Sequence, residues 1–231
     1  MGASAIGQPG MKKVTLSFDN GPDPSGTTAF VLDEMAQRGI AASFFVTGRQ
    51  LARPGGRDLA ERARDEGHWI GNHTLTHSVM FGDSDDASLA EREIGGTQVL
   101  IGDLAHPDRL FRPYGGGGVI GKRLLNASAV SYLVSGGYTC VLWTSVPRDW
   151  EADAAWVDRC LADIEGQEWT VVVAHDLPSG GMAFLPSLLD RIEAMGAEFV
   201  QEFPHACVPI RRGVVEADLS PIVRQARTSA A

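Results

Sequence analysis

The sequence predicts a single α/β domain whose parallel strands curl into one closed or nearly closed barrel. Short β-branched or aromatic runs alternate with longer stretches of helical periodicity, which is how parallel α/β folds read. No linker, repeat or low-complexity block interrupts the 231 residues other than the glycines at 115–118, which would give an open, mobile loop after Tyr114. Apolar residues make up 44% and charged residues 21%, enough for one sizeable core.

In chain order, the first strand spans 13–19. Its alternation sends Leu16 and Phe18 to one face and Ser17 and Asp19 to the other, and Gly21-Pro22 ends the ladder. A helical segment near 26–38 follows, closed by Gly39. The second strand, 42–47, carries Phe44, Phe45 and Val46. The segment 58–66 opens with Asp58-Leu-Ala-Glu61, which resembles a capping box, and ends at Gly67. A third strand at 69–72 precedes a helical pattern over 87–104. Strands at 110–113, 139–145 and 170–174 then alternate with helices at 121–135, 152–164 and 182–195. Gly196 and a seventh strand at 198–201 complete the series. Residues 12–212 form the predicted domain, and 213–231, polar and Ala-rich towards its end, is expected to be a flexible tail.

The net charge of −9 argues against a nucleic-acid surface and would weakly repel anionic lipid, leaving a small-molecule or oligosaccharide substrate as the better fit. Cys140, Cys160 and Cys207 are odd in number and lack CxxC spacing, so reduced, buried thiols are expected. The first residues, MGASAIGQPGMKK, show no basic stretch leading into an apolar run, and no segment reaches membrane-spanning length. A cytoplasmic location with no membrane partner is the expectation.

Five polar clusters fall just past predicted strand ends: Asp19-Asn20, His73 with His77, Arg112-Pro-Tyr114, Asp149-Trp150 and His175-Asp176. Parallel barrels build their sites on that rim. His73 and His77, four residues apart, would share one face if the segment turned helically, within reach of one cation. Imidazole nitrogens with oxygen donors suit a divalent metal, zinc first and then cobalt, nickel or manganese. Asp19 reads either as a ligand or as a base, and Arg112 would keep its carboxylate oriented and ionised. His175 becomes a proton donor near neutral pH if Asp149 reaches its second nitrogen. Tyr114 and Trp150 read either as walls of an apolar slot or as ordinary packing.

From Lys12 to Phe203 the chain resembles the polysaccharide deacetylase family, the NodB-homology domain of carbohydrate esterase family 4. Ser17-Phe-Asp-Asn-Gly-Pro22 looks like the first motif, usually T-F-D-D-G-P. His73-Thr-Leu-Thr-His77 matches H-S/T-x-x-H, and Phe111-Arg-Pro-Tyr114 the Arg-to-Tyr motif with one residue fewer. Arg148-Asp149-Trp150 carries the D-W end of the fourth motif, whose earlier acid is Val146 here. Val173-Ala-His175 looks like the fifth, with Val for Leu. The resemblance implies a distorted (β/α)7 barrel and metal-dependent hydrolysis of an N-acetyl group. It implies Asp19 as general base, and Asn20, His73 and His77 as the metal triad. Arg112 would orient Asp19, Tyr114 would donate its backbone N–H to the oxyanion, and His175 would protonate the leaving amine. Asp149 would tune His175, while Trp150 and Val173 would line the acetyl pocket.

Asn20 stands where the family has a second acid. An amide oxygen brings a dipole instead of a charge, so metal affinity should fall. Asp23 is a conceivable substitute. Two other readings follow from the same residue: a metal-independent hydrolase of a cyclic amide or ureide, and a non-catalytic sugar-binding relative.

Overall fold

The computed structural model describes residues 11–225. Its elements are β1 (Lys13–Asp19), α1 (Thr27–Arg38), β2 (Ser43–Val46), a short α2 (Gly48–Leu51), α3 (Gly56–Asp65), β3 (Trp69–Asn72), α4 (Gly96–Ile101), β4 (Leu110–Phe111), α5 (Ala127–Ser135), β5 (Thr139–Cys140), α6 (Ala155–Gly166), β6 (Trp169–His175), α7 (Leu185–Ala194), β7 (Glu198–Phe199), β8 (Ile210–Arg211) and β9 (Val214–Val215).

The sheet runs β6-β1-β2-β3-β4-β5-β8-β9, with β7 also on β1. All ladders among β1 to β7 are parallel. A parallel bridge between Ser145 and Val172 brings the chain beyond β5 back to β6, so the curled sheet nearly meets itself. This is the single α/β domain with a distorted barrel that the sequence predicts.

The predicted strand 139–145 is not continuous. Only Thr139 and Cys140 pair with β4; the Leu142 amide then donates to the Cys207 carbonyl before Ser145 rejoins β6. The 87–104 helix is also broken, into a π turn over Glu91–Gly95, the short α4, and a bend at Gly102 with φ 56°. The Asn126 side chain accepts from the Ala129 amide and starts α5 there, leaving 121–126 outside the helix. Asp58 is not part of a capping box: α3 begins at Gly56 without a side-chain cap, and Asp58 lies in its first turn. Gly39 sits where predicted, with φ 63° and its N–H on the last carbonyls of α1.

Outside the sheet, Leu16 and Phe18 pack on Val31, Leu32 and Met35 of α1 and on Leu188 and Leu189 of α7. Each such buried side chain contributes about 1.5–3 kcal/mol relative to exposure. A second cluster joins Phe111, Leu124, Leu133, Cys140 and Trp143. All three cysteines are buried and unbridged, and burial pushes the Cys140 thiol up to about 12. No described helix is long and apolar enough to cross a membrane.

The segment expected as a tail from residue 213 is instead docked as far as it is described. β9 pairs with β8, Ile222 is buried, and Leu125 exchanges backbone hydrogen bonds with Ile222 and Arg224. The reason is Ile222, buried in the second core cluster with Leu219 and Val223 packed against it, within a mostly polar stretch. Residues 226–231 lie outside the described residues.

Candidate active site

β1 delivers Asp19 to the C-terminal rim, opposite His175 at the end of β6 in parallel register. Asp19 Oδ1 accepts from Arg112 Nη1 at 2.7 Å, and the same nitrogen donates to Ser17 Oγ at 2.7 Å. Arg112 follows β4 and is completely buried, its guanidinium carbon 4.0 Å from the centre of the Phe45 ring. A cation in such surroundings is held by the carboxylate and the aromatic face together. The alternation that sends Ser17 and Asp19 inward therefore meets a charge inside the barrel.

His73 leaves β3 with Nδ1 2.9 Å from the Arg112 carbonyl oxygen. A carbonyl only accepts, so Nδ1 carries the proton and Nε2 keeps a lone pair. That Nε2 lies 3.5 Å from Asp19 Oδ2. Burial holds His73 below the usual imidazole range despite the Asp19 charge. Burial, followed by the neighbouring His73, lowers His77 to about 2. The two ring centres are 4.8 Å apart.

The 73–77 segment is not the helical turn its spacing allows. Thr74 and His77 both adopt left-handed backbone, at φ 68° and 52°. Such conformations cost about 1–3 kcal/mol each without glycine. Asn20 is left-handed too, at φ 76°, and its Oδ1 is buried without a hydrogen-bond partner among the described residues. An orphaned amide oxygen beside two imidazoles with uncharged rings fits a cation. Among the described residues no three or more His, Cys, Asp or Glu form a group that could hold a metal ion, and Asn20, an amide, falls outside that set. Asp23 does not replace it; its carboxylate is engaged by Ser25 and by Arg53 at 3.4 Å.

Across the cleft, His175 Nδ1 donates to Asp149 Oδ1 at 2.8 Å and its amide to Asp149 Oδ2 at 2.9 Å. Burial pulls its pKa down, yet the Asp149 hydrogen bond and charge, with Asp19 and Asp176, leave it raised. Asp149 is completely buried, on a turn flanked by left-handed Arg148 and Ala152. Trp150 lies edge-on to His175 at 5.2 Å, and the Tyr114 ring centre is 4.0 Å from that of His77.

These residues surround a cleft of about 410 Å³. Asp19, Asn20, His73, His77, Tyr114, Trp150, Val173 and His175 line it, while Arg112 and Asp149 stand behind. Of the sequence-predicted site residues, none lies elsewhere. Val146, which stands where the fourth motif has its earlier acid, also lines it, as do Trp143, Leu177 and Ser179, which had no motif to single them out. The glycines at 115–118, expected to form an open, mobile loop, are pinned. Trp143 Nε1 donates to the Gly118 carbonyl at 2.8 Å, and a Cβ on Gly115 would lie 2.6 Å from the Trp143 ring.

Comparison with known proteins agrees with this geometry. Peptidoglycan-N-acetylglucosamine deacetylase of Bacillus cereus is 30% identical over 199 residues, 82% of this chain and 85% of the relative. Chitooligosaccharide deacetylase of Rhizobium leguminosarum bv. trifolii is 32% identical over 170 residues, 71% and 72% of the two chains. A solved family 4 acetyl xylan esterase from Clostridium thermocellum, in complex with a cobalt ion, superposes with TM-score 0.66 at 26% identity. That alignment covers 82% of this chain and 87% of the esterase. Residues 6–141 match the family described as Polysaccharide deacetylase. With the barrel, the rim cleft and a match over more than half its length, the chain belongs to the polysaccharide deacetylase family.

Proposed function

We propose that the protein is a metal-dependent hydrolase that removes the N-acetyl group from an acetylated amino sugar in an oligosaccharide or longer chain. One observation carries the metal reading. Electron-pair donors lie at one cleft: His73 Nε2, 3.5 Å from Asp19 Oδ2, and Oδ1 of Asn20, which has no hydrogen-bond partner among the described residues. Such a group is stable beside a cation. The relatives' names supply the substrate class, an N-acetylglucosamine unit of peptidoglycan or a chitooligosaccharide.

A divalent cation held by Asn20, His73 and His77, zinc or by the same donor chemistry cobalt, nickel or manganese, supplies acidity to water and polarisation to the acyl oxygen. Asp19, held in place by Arg112, takes the proton of the attacking water. The Tyr114 backbone N–H donates to the oxygen as it gains charge. His175, held by Asp149 in its proton-carrying form, gives a proton to the amine nitrogen as the C–N bond breaks. Trp150 and Val173 pack on the acetyl methyl. Asn20 leaves the cation less neutralised than a carboxylate would, so it is bound more weakly and acts as a stronger Lewis acid.

The test is titration of zinc, cobalt and nickel into chelator-stripped protein while deacetylation of chitooligosaccharides is followed, with His73→Ala as control. Stoichiometric binding that restores activity, lost in His73→Ala, is the expected result. Turnover without any metal would overturn the metal dependence, and sugar binding without turnover would overturn the hydrolase.

A further inference from the structure

We propose that Glu93 is a positioning residue whose carboxylate holds the 73–77 loop in the shape that aims both imidazoles into the cleft. The inference rests on the reading of His73 and His77 as cation ligands. Glu93 Oε2 accepts from the backbone amides of Leu75 at 2.9 Å and Thr76 at 2.8 Å, and Oε1 accepts from Thr76 Oγ1 at 2.7 Å. These three donors lie between the two histidines. The carboxylate is buried, and its recorded hydrogen bonds all go to this loop.

The placement of Glu93 depends on an uncommon backbone. It lies at the centre of the π turn Glu91–Gly95 that leads into α4. Removing one residue from that turn would rotate Glu93 by about 100° relative to α4, away from the loop. The wider turn is stitched to the loop from the other side as well. The Ile94 carbonyl accepts from Asn72 Nδ2 at 2.8 Å, and Asn72 Oδ1 accepts from the Thr74 amide at 3.1 Å.

A loop with two left-handed non-glycine residues does not keep its shape on local preference alone. Charge-assisted bonds to consecutive amides supply what local preference withholds, as outer partners do for ligands in metal sites generally. Glu93 touches neither the ligating atoms nor the cleft and acts only through the loop.

The test compares wild type with Glu93→Ala, Glu93→Gln and Glu93→Asp. Cobalt(II) affinity is measured by competition with a chelator, and hydrogen exchange of the Leu75 and Thr76 amides is measured in metal-free protein. Glu93→Ala is expected to weaken cobalt binding about 10- to 100-fold and to strip protection from both amides. Glu93→Gln keeps the shape and an acceptor oxygen, and should recover most of both. If Glu93→Ala does not fold, Glu93→Asp carries the test, because its carboxylate is drawn back by one methylene and should lose affinity in the same direction. Wild-type affinity and amide protection in Glu93→Ala, or in Glu93→Asp where Ala does not fold, would overturn the role of Glu93 and leave the ligand reading standing. No cobalt binding by the wild type would overturn the ligand reading, and this inference with it.

Discussion

Two sets of cleft residues contrast: Asp19 and His175 are each tied to a dedicated partner, Arg112 and Asp149, whereas Asn20 Oδ1 has no hydrogen-bond partner among the described residues and His73 Nε2 keeps a lone pair. Asp19, Asn20 and His73 are buried, and His175 is partly so. Burial makes an unpaired polar atom costly, so the paired set is satisfied within the polypeptide while the unpaired set leaves room for a partner. In the proposed function this difference would separate proton transfer, set by Asp19 and His175, from the electrophilic assistance that a bound cation would give.

The comparison can be broken most directly at Asp19. Asp19→Asn keeps the size of the side chain but cannot take a proton, and deacetylation should fall about 100- to 10,000-fold. A fall below tenfold in kcat would remove Asp19 as base. Asp149→Asn is next. Its loss should cost about 10- to 100-fold in kcat and alter the pH profile. The raised pKa of His175 keeps its proton to higher pH than a free imidazole, so activity falls as pH rises through that value. Without the Asp149 charge, this alkaline limb should move towards acid; a profile that does not move would detach His175 from proton transfer.

In the unpaired set, Asn20→Asp should tighten zinc or cobalt binding by about tenfold or more, since a unit charge beside a cation gains several kcal/mol before desolvation is counted. Unchanged affinity, measured by calorimetry, would remove residue 20 from the ligand set. The smallest effect concerns an unpaired atom behind the paired set. Asp176 is buried with Oδ1 unpartnered and Oδ2 held by Thr28, and burial raises its pKa from 3.8 to about 6. A raised carboxylate favours the fold below its unfolded value, and that contribution is lost as pH rises through the folded one. Asp176→Asn should therefore stabilise the protein by on the order of 2 kcal/mol above that range, with the gain disappearing near pH 4. Melting temperatures across pH check it.

Legibility in the sequence followed the range of the contacts. β1, β3 and β6 could be read nearly to the residue because alternation and apolar runs are local signals. The break in the fifth strand was not, because the Leu142 amide finds its acceptor at Cys207, far along the chain. β8 and β9, two residues each, are too short to leave a period. The motif residues of the cleft could be read because most sit at or beyond a strand end, and the fold gathers them on one rim. Glu93 could not, since its partners lie 17 and 18 residues away and its turn departs from the helical period. The Trp143 clamp on Gly118, 25 residues apart, was hidden for the same reason, and the glycines alone suggested the opposite.

The β8–β9 hairpin has a consequence for the edge of the sheet. It pairs antiparallel with β5, where the sheet would otherwise end in a buried strand with open amides and carbonyls. Its own outer strand is two residues long and carries exposed Val214 and Val215. A short edge offers another molecule almost nothing to extend. The hairpin thus closes the open edge of β5 with residues far from the cleft.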